Sequence, residues 1–327
     1  MRKNYDTTID VLRLISIFAV VLIHTTTREL EVTHYDLINN QISLFLNQAA
    51  RFAVPLFFLI SGFVLELSYR ENENYFNYLK RRLSKILLPY LIWSLIYYFF
   101  IYTNHSEDLI HALIDGSSSY QLYFIPSLFI FYLIFPILHK IKLKKYILIV
   151  LFVIQILILN YVYKYFTFPL PYPIAVAVFN FFVFILGIYL VRNINDFKKI
   201  LNKIWVLLIP VTIYLAYFIF KEGFNRYYQT WNVAAFYIQF RPSILIYTIF
   251  VFGILYFIFS KIKINFLSEL SRLSFFVFFI HVIILENVWK YLSPKNDLVF
   301  FGIVSIISFS VAYLIHRFLP IASKCLG

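Results

Sequence analysis

The stretch Thr8-Ile9-Asp10-Val11-Leu12-Arg13-Leu14-Ile15-Ser16-Ile17-Phe18-Ala19-Val20-Val21-Leu22-Ile23-His24-Thr25 decides the fold. Its apolar content suits a helix that crosses a bilayer, which needs about 20 such residues. Arg13 and His24 interrupt it, eleven positions apart. At about 3.6 residues per turn both project from one face, roughly 16 Å apart along the axis. Asp10 is placed to pair with Arg13 across one turn. An arginine within a span costs roughly 2.5–3.5 kcal/mol on insertion scales, so it normally meets a polar cavity or a partner. Taken singly, Arg13 snorkelling inward and His24 resting among headgroups would explain each residue. Their shared phase on an apolar helix points to a water-accessible passage joining the two leaflets.

The rest of the 327-residue chain has the same apolar character. Residues AVILMFWYC make up 61% and charged residues 14%, well short of the roughly 25% charge that coats a soluble domain. The expected fold is all-α, a polytopic membrane helix bundle forming one domain over 1–327. Ten apolar blocks lie near 8–26, 47–66, 84–103, 121–138, 146–163, 174–191, 204–220, 242–260, 273–290 and 298–318. About ten transmembrane helices follow. Arg51, Pro55 and Pro126 blur the second and fourth blocks, and no connection is long enough for a separate soluble domain.

Lys and Arg set the orientation. Connections on the N-terminal side carry 20 of them, those on the opposite side carry eight, and Arg13 lies inside a span. Both termini are therefore expected in the cytoplasm. The loop from Asn104 to Ser119, with Glu107, Asp108 and Asp115 and no basic residue, reads as outward-facing. Thr25-Thr26-Thr27-Arg28-Glu29 offers no small-x-small cleavage site, so the first block reads as a retained span. The net charge of +13 does not indicate nucleic acid, because the basic residues sit between apolar blocks instead of on one wet face. One cysteine, Cys325, excludes a disulfide framework and thiolate zinc chemistry. No second half mirrors the first, which weakens an inverted-repeat transporter.

Three further regions carry polar groups. The second block enters through Asn47-Gln48-Ala49-Ala50-Arg51-Phe52-Ala53-Val54-Pro55. Arg51 falls at the depth of His24, either as an interfacial anchor or facing it, and Glu66 falls nearer Arg13. Pro55 removes a backbone donor, and Ser61-Gly62 permits close helix approach. Before the third span, Arg81 and Lys85 share a helical face with Arg82 beside them. This cationic ridge suits phosphate groups or anionic lipid. His281 sits at mid-depth in the ninth span, and Glu286 lies about 140° round the same helix. His34, His105, His111, His139 and His316 show no ligand spacing, and no metal site is readable.

Together these features resemble the acyltransferase-3 family of integral membrane acyltransferases. The likeness spans essentially the whole chain. It rests on Arg13 and His24 in the first helix and on Val54-Pro55-Leu56-Phe57-Phe58-Leu59-Ile60-Ser61-Gly62-Phe63 in the second. It also rests on the basic cluster with Pro89 and on Phe276-Val277-Phe278-Phe279-Ile280-His281. Tyr120-Gln121-Leu122-Tyr123-Phe124-Ile125 is a weaker fifth point, with Tyr123 where the family tends to carry tryptophan. A second departure is Arg82-Leu83-Ser84-Lys85, whose last position is Lys instead of Arg and cannot grip phosphate bidentately.

The resemblance implies a stand-alone O-acyltransferase of the surface-polysaccharide type in a bacterial cytoplasmic membrane. It implies that Arg13, Arg81, Arg82 and Lys85 meet a cytoplasmic acyl-coenzyme A, acetyl by family default. This is a donor substrate, and no resident cofactor is implied. His24 would act as base or acyl carrier, Arg51 would face the oxyanion, and Tyr123, His281 and Ser61 would contact substrate. The acceptor would be a surface glycan or lipid-linked sugar, reached directly or through a separate protein. The alternative is an exporter or flippase of such a sugar.

Overall fold

The protein is described by a computed structural model covering residues 7–32, 41–70, 73–102, 107–165, 169–230, 239–262, 264–294, 296–319, 323 and 325–327. Among the described residues every regular element is helical. In chain order they are α1 (Thr7–Val32), α2 (Gln41–Ala49), α3 (Ala53–Leu67), α4 (Tyr75–Leu83), α5 (Leu87–Ile96), α6 (Leu109–Asp115), α7 (Phe124–Lys140) and α8 (Lys145–Tyr165). Then come α9 (Tyr172–Phe179), α10 (Phe181–Arg192), α11 (Ile194–Thr230), α12 (Pro242–Lys261), α13 (Asn265–Ser271), α14 (Ser274–Leu292) and α15 (Asp297–Phe318).

Each apolar block coincides with helix. Among the described residues eight helical stretches are long and apolar enough to cross a bilayer, and the bent pair α9–α10 makes a ninth. The fourth block forms α7, at 17 residues a shorter apolar helix. The second block is one stretch, Gln41–Leu67, in which α2 runs into α3 through a tight turn at Ala50–Phe52. The loop read as outward-facing contains α6, capped by the Asp108 carboxylate accepting from the His111 amide. Arg2, Lys3, Lys263, Lys295 and Lys324 from the charge count, and His34 and His105, lie outside the described residues.

Burial separates the spans into heart and rim. The apolar stretch of α1 is 67% buried, whereas those of α8 and α11 are 17% buried, as expected of helices turned to lipid. Two cores form. One gathers Leu56, Phe63, Phe131, Phe184 and Tyr256 on α3, α7, α10 and α12. The other gathers Ile17, Val21, Trp93, Phe279 and Val304 on α1, α5, α14 and α15. Phe52 and Phe124 pack against both cores.

Glycine sets the tightest crossing. A Cβ on Gly62 of α3 would lie 2.1 Å from the Phe184 carbonyl oxygen of α10, and one on Gly187 would lie 2.1 Å from that of Leu59. The two backbones touch where neither residue carries a side chain. Between α9 and α10 the chain bends by 47° at Asn180. The bend frees the Phe182 amide, which donates to the Gln155 side-chain oxygen at 3.1 Å.

Candidate active site

His24 and Arg51 face one cavity of about 320 Å³, whose wall also includes Val54, Tyr120, Tyr123, Tyr172, Gln239 and Glu286. The His24 ring lies 4.7 Å from that of Tyr120 and stacks at 5.4 Å on His281. His281 is fully buried behind it, with Nδ1 3.0 Å from the Val277 carbonyl oxygen. A carbonyl only accepts, so Nδ1 carries the proton and Nε2 is left as an acceptor.

Arg51 is 6% exposed and sits in the tight turn between α2 and α3. Its Nε and Nη2 donate to Asn47 Oδ1 at 3.1 and 2.6 Å. Asn47 Nδ2 in turn donates to the Ile23 carbonyl and to the Thr26 and Thr27 hydroxyls. The turn of α1 that bears His24 is thus tied to the residue that holds Arg51. Gln48 continues the chain, donating to Asn47 Oδ1 and accepting from Arg241. Arg241, buried completely, also meets Glu222 at 3.5 Å.

The far wall is aromatic. Gln239 Nε2 donates to the Tyr123 hydroxyl at 2.7 Å, and Tyr172 packs edge-on to Tyr123 at 5.1 Å. At the end of the bundle where α1 terminates, Arg28 bridges Glu286 at 3.6 Å and Glu31 at 3.7 Å and lies over Trp289. Glu286, which the sequence places well round from His281, therefore lines the same cavity as His24.

The other sequence-predicted residues lie outside this wall. Arg13 pairs with Asp10 at 3.5 Å, as the spacing predicts. On α1 the cavity lining begins at Val20, two turns beyond Arg13. Between Arg13 and Val20 the helix buries Leu14 and Ile17 in the second core, so Arg13 is not part of this cavity's wall. Ser61 Oγ donates to the Phe57 carbonyl at 2.7 Å. Glu66, expected only to lie at the depth of Arg13, has its partners on other helices. It pairs with Arg192 at 2.9 Å and His139 at 2.9 Å, because α10 and α7 both end beside it.

The basic ridge is also rearranged. Helix α4 stops at Leu83, so exposed Lys85 falls in the following turn and does not share a helical face with Arg81. Arg81 is engaged by Glu73 through Nε at 2.8 Å and through Nη2. That pairing holds the Glu73 carboxyl below its usual range. Arg82 donates to Ser68.

Sequence reasoning passed over Asn47, Gln48 and Arg241. A cue existed for Arg241, a cation directly before Pro242 at the mouth of an apolar block. Asn47 and Gln48 offered only their helical spacing to Arg51. Among the described residues no three of His, Cys, Asp and Glu gather as metal ligands would.

Known proteins resemble the chain over most of its length. A poly-β-1,6-N-acetyl-D-glucosamine export protein of Staphylococcus aureus (strain Mu50), named as probable, is 26% identical over 310 residues, which is 88% of this chain and 85% of the relative. A protein of the same name from Staphylococcus epidermidis is 26% identical over 276 residues, 77% of this chain and 74% of the relative. No solved structure matches the chain. The acyltransferase-3 family model, described as an acyltransferase domain, matches residues 6–317, and the chain belongs to that family.

Proposed function

We propose that this multi-pass membrane protein is an O-acyltransferase. It moves an acyl group, acetyl by preference, from cytoplasmic acyl-coenzyme A to a hydroxyl of a cell-surface glycan or its lipid-linked precursor. The observation that carries the reading is the meeting of His24 and Arg51 on one tyrosine-walled cavity, within a chain of the acyltransferase-3 family. With the N-terminus in the bacterial cytoplasm, as the Lys/Arg distribution favours, that cavity opens outward, where a glycan arrives. Arg13 and Arg82 lie towards the opposite end, with Arg81 and Lys85 nearby, and supply cations for the donor's phosphates.

Each group has a definable task. His24 accepts the proton of the acceptor hydroxyl, whose oxygen attacks the thioester carbonyl. A carbon–oxygen bond forms, the carbon–sulfur bond breaks, and the thiolate leaves to be protonated as coenzyme A. Alternatively the His24 ring takes the acyl group first and then yields it to the hydroxyl. In both routes Arg51 faces the negative oxygen that develops. Acceptor hydroxyls and sugar rings suit the Tyr120, Tyr123 and Tyr172 wall.

The names of the staphylococcal relatives support a second reading, in which the chain moves a polysaccharide or lipid-linked sugar across the membrane. One experiment separates the two. Purified protein in liposomes is given acetyl-coenzyme A and a surface-glycan acceptor, and thiol release and glycan acylation are followed by mass spectrometry. Wild type is expected to acylate, and folded His24→Ala to be inactive. Full acyl transfer by His24→Ala would overturn the proposal, and glycan movement without acylation would favour export.

A further inference from the structure

We propose that Asn47 is a positioning residue that clamps Arg51 to the turn of α1 carrying His24. The inference rests on the acyltransferase reading for its consequence, but its geometry is independent of it. Asn47 is completely buried. The two protons of its amide nitrogen are shared among three acceptors on α1, the Ile23 carbonyl at 3.1 Å and the hydroxyls of Thr26 at 3.0 Å and Thr27 at 2.9 Å. Its oxygen accepts Arg51 twice and Gln48 once. Every polar valence of the side chain is in use.

The residue type follows from that arrangement. Only a side chain with a donor at one atom and an acceptor at the other can join α1 acceptors to a guanidinium. Aspartate would keep the Arg51 half and lose the α1 half, and an apolar residue would lose both. Arg51 and Asn47 are four apart, so the two Arg51 donors close on a neighbouring turn of the same helical stretch. The guanidinium is thereby fixed in one rotamer beside the His24 cavity. Beyond it Gln48 separates Arg51 from a second buried cation, Arg241, which Glu222 balances. A freed Arg51 has a water-accessible cavity to turn into, and a displacement of about 1 Å at a reacting centre costs about 10²-fold in rate.

The test reads Arg51 directly and through turnover. Purified full-length wild type, Asn47→Ala, Asn47→Ser and Asn47→Asp are treated in detergent with phenylglyoxal, and modification of Arg51 is followed by peptide mass spectrometry. Arg51 is expected to react at least several-fold faster in Asn47→Ala and Asn47→Ser, and at the wild-type rate in Asn47→Asp. The milder Ser variant decides if the Ala variant is not monodisperse. For turnover, Asn47→Ala is expected to lower kcat by about 10²-fold with little change in acceptor KM. In an Arg51→Ala background it should add nothing, because the clamp would have no guanidinium to hold. Unchanged Arg51 reactivity in both short variants, or losses that multiply with Arg51→Ala, would overturn the clamp. Failure of wild type to transfer acyl groups would instead remove the enzymatic reading, and the reactivity assay would still decide the geometry.

Discussion

His24 and His281 lie ring against ring, 5.4 Å between centroids and 29° from parallel. His281 is sealed from solvent and anchored to the Val277 carbonyl, while His24 faces the cavity. His281 thus backs the ring proposed to do the chemistry. His24→Ala is expected to remove acyl transfer by 10² or more, in the range of a lost general base. His281→Ala should lower kcat by loosening the His24 ring, and His281→Phe should restore most of it by refilling the stack. Equal losses for the Ala and Phe variants in the liposome assay would show that the His281 nitrogens matter in their own right.

Glu73 competes with any phosphate for Arg81. The ion pair lowers the pKa of the carboxyl, so its stabilising contribution is present at neutral pH and lost as pH falls through the depressed folded value. Glu73→Gln should flatten that acid-side loss in a thermal-stability series from neutral pH downward. The same variant leaves Arg81 without its partner carboxylate, and KM for acyl-coenzyme A is expected to fall by several-fold. A raised KM would place the donor elsewhere.

The Gly62–Gly187 crossing has no space for a methyl group. Gly62→Ala or Gly187→Ala drives a Cβ against backbone oxygen at 2.1 Å, and overpacking of this kind costs roughly 1–3 kcal/mol. Gly302, in α15, meets nothing within 4 Å, so Gly302→Ala should be neutral or mildly stabilising. Melting curves of the three variants in one detergent check the contrast.

The Tyr123 hydroxyl accepts from Gln239 at 2.7 Å in the cavity wall. Tyr123→Phe leaves that amide without its partner, at a cost of about 1 kcal/mol. A glycan acceptor whose site includes this wall should show a KM raised by about fivefold, with kcat for the donor half-reaction unchanged. An unchanged acceptor KM would put the sugar elsewhere.

Much of this was legible in the residues because membranes impose strong rules. Span positions followed from apolar length, and the pairing of Arg13 with Asp10 followed from helical spacing. The depth match of Arg51 and His24 followed from counting in from opposite ends of successive spans. What escaped was lateral. Nothing in the order of residues tells which neighbour α3 meets, so the depth of Glu66 was legible but not its pairing with Arg192 and His139. A helix break at 84–86 separated Lys85 from Arg81 although their spacing suits one face. Arg241 read as a loop cation, and it is enclosed only once α11 and α2 meet the start of α12.

The seven-residue interval from Arg13 to Val20, with Leu14 and Ile17 buried inside it, has a bioenergetic consequence. Apolar side chains packed at this level of a bundle raise the barrier to ion passage, which suits a membrane that must hold its proton-motive force. A donor arm crossing this level must be slender and able to shed its hydration as it passes.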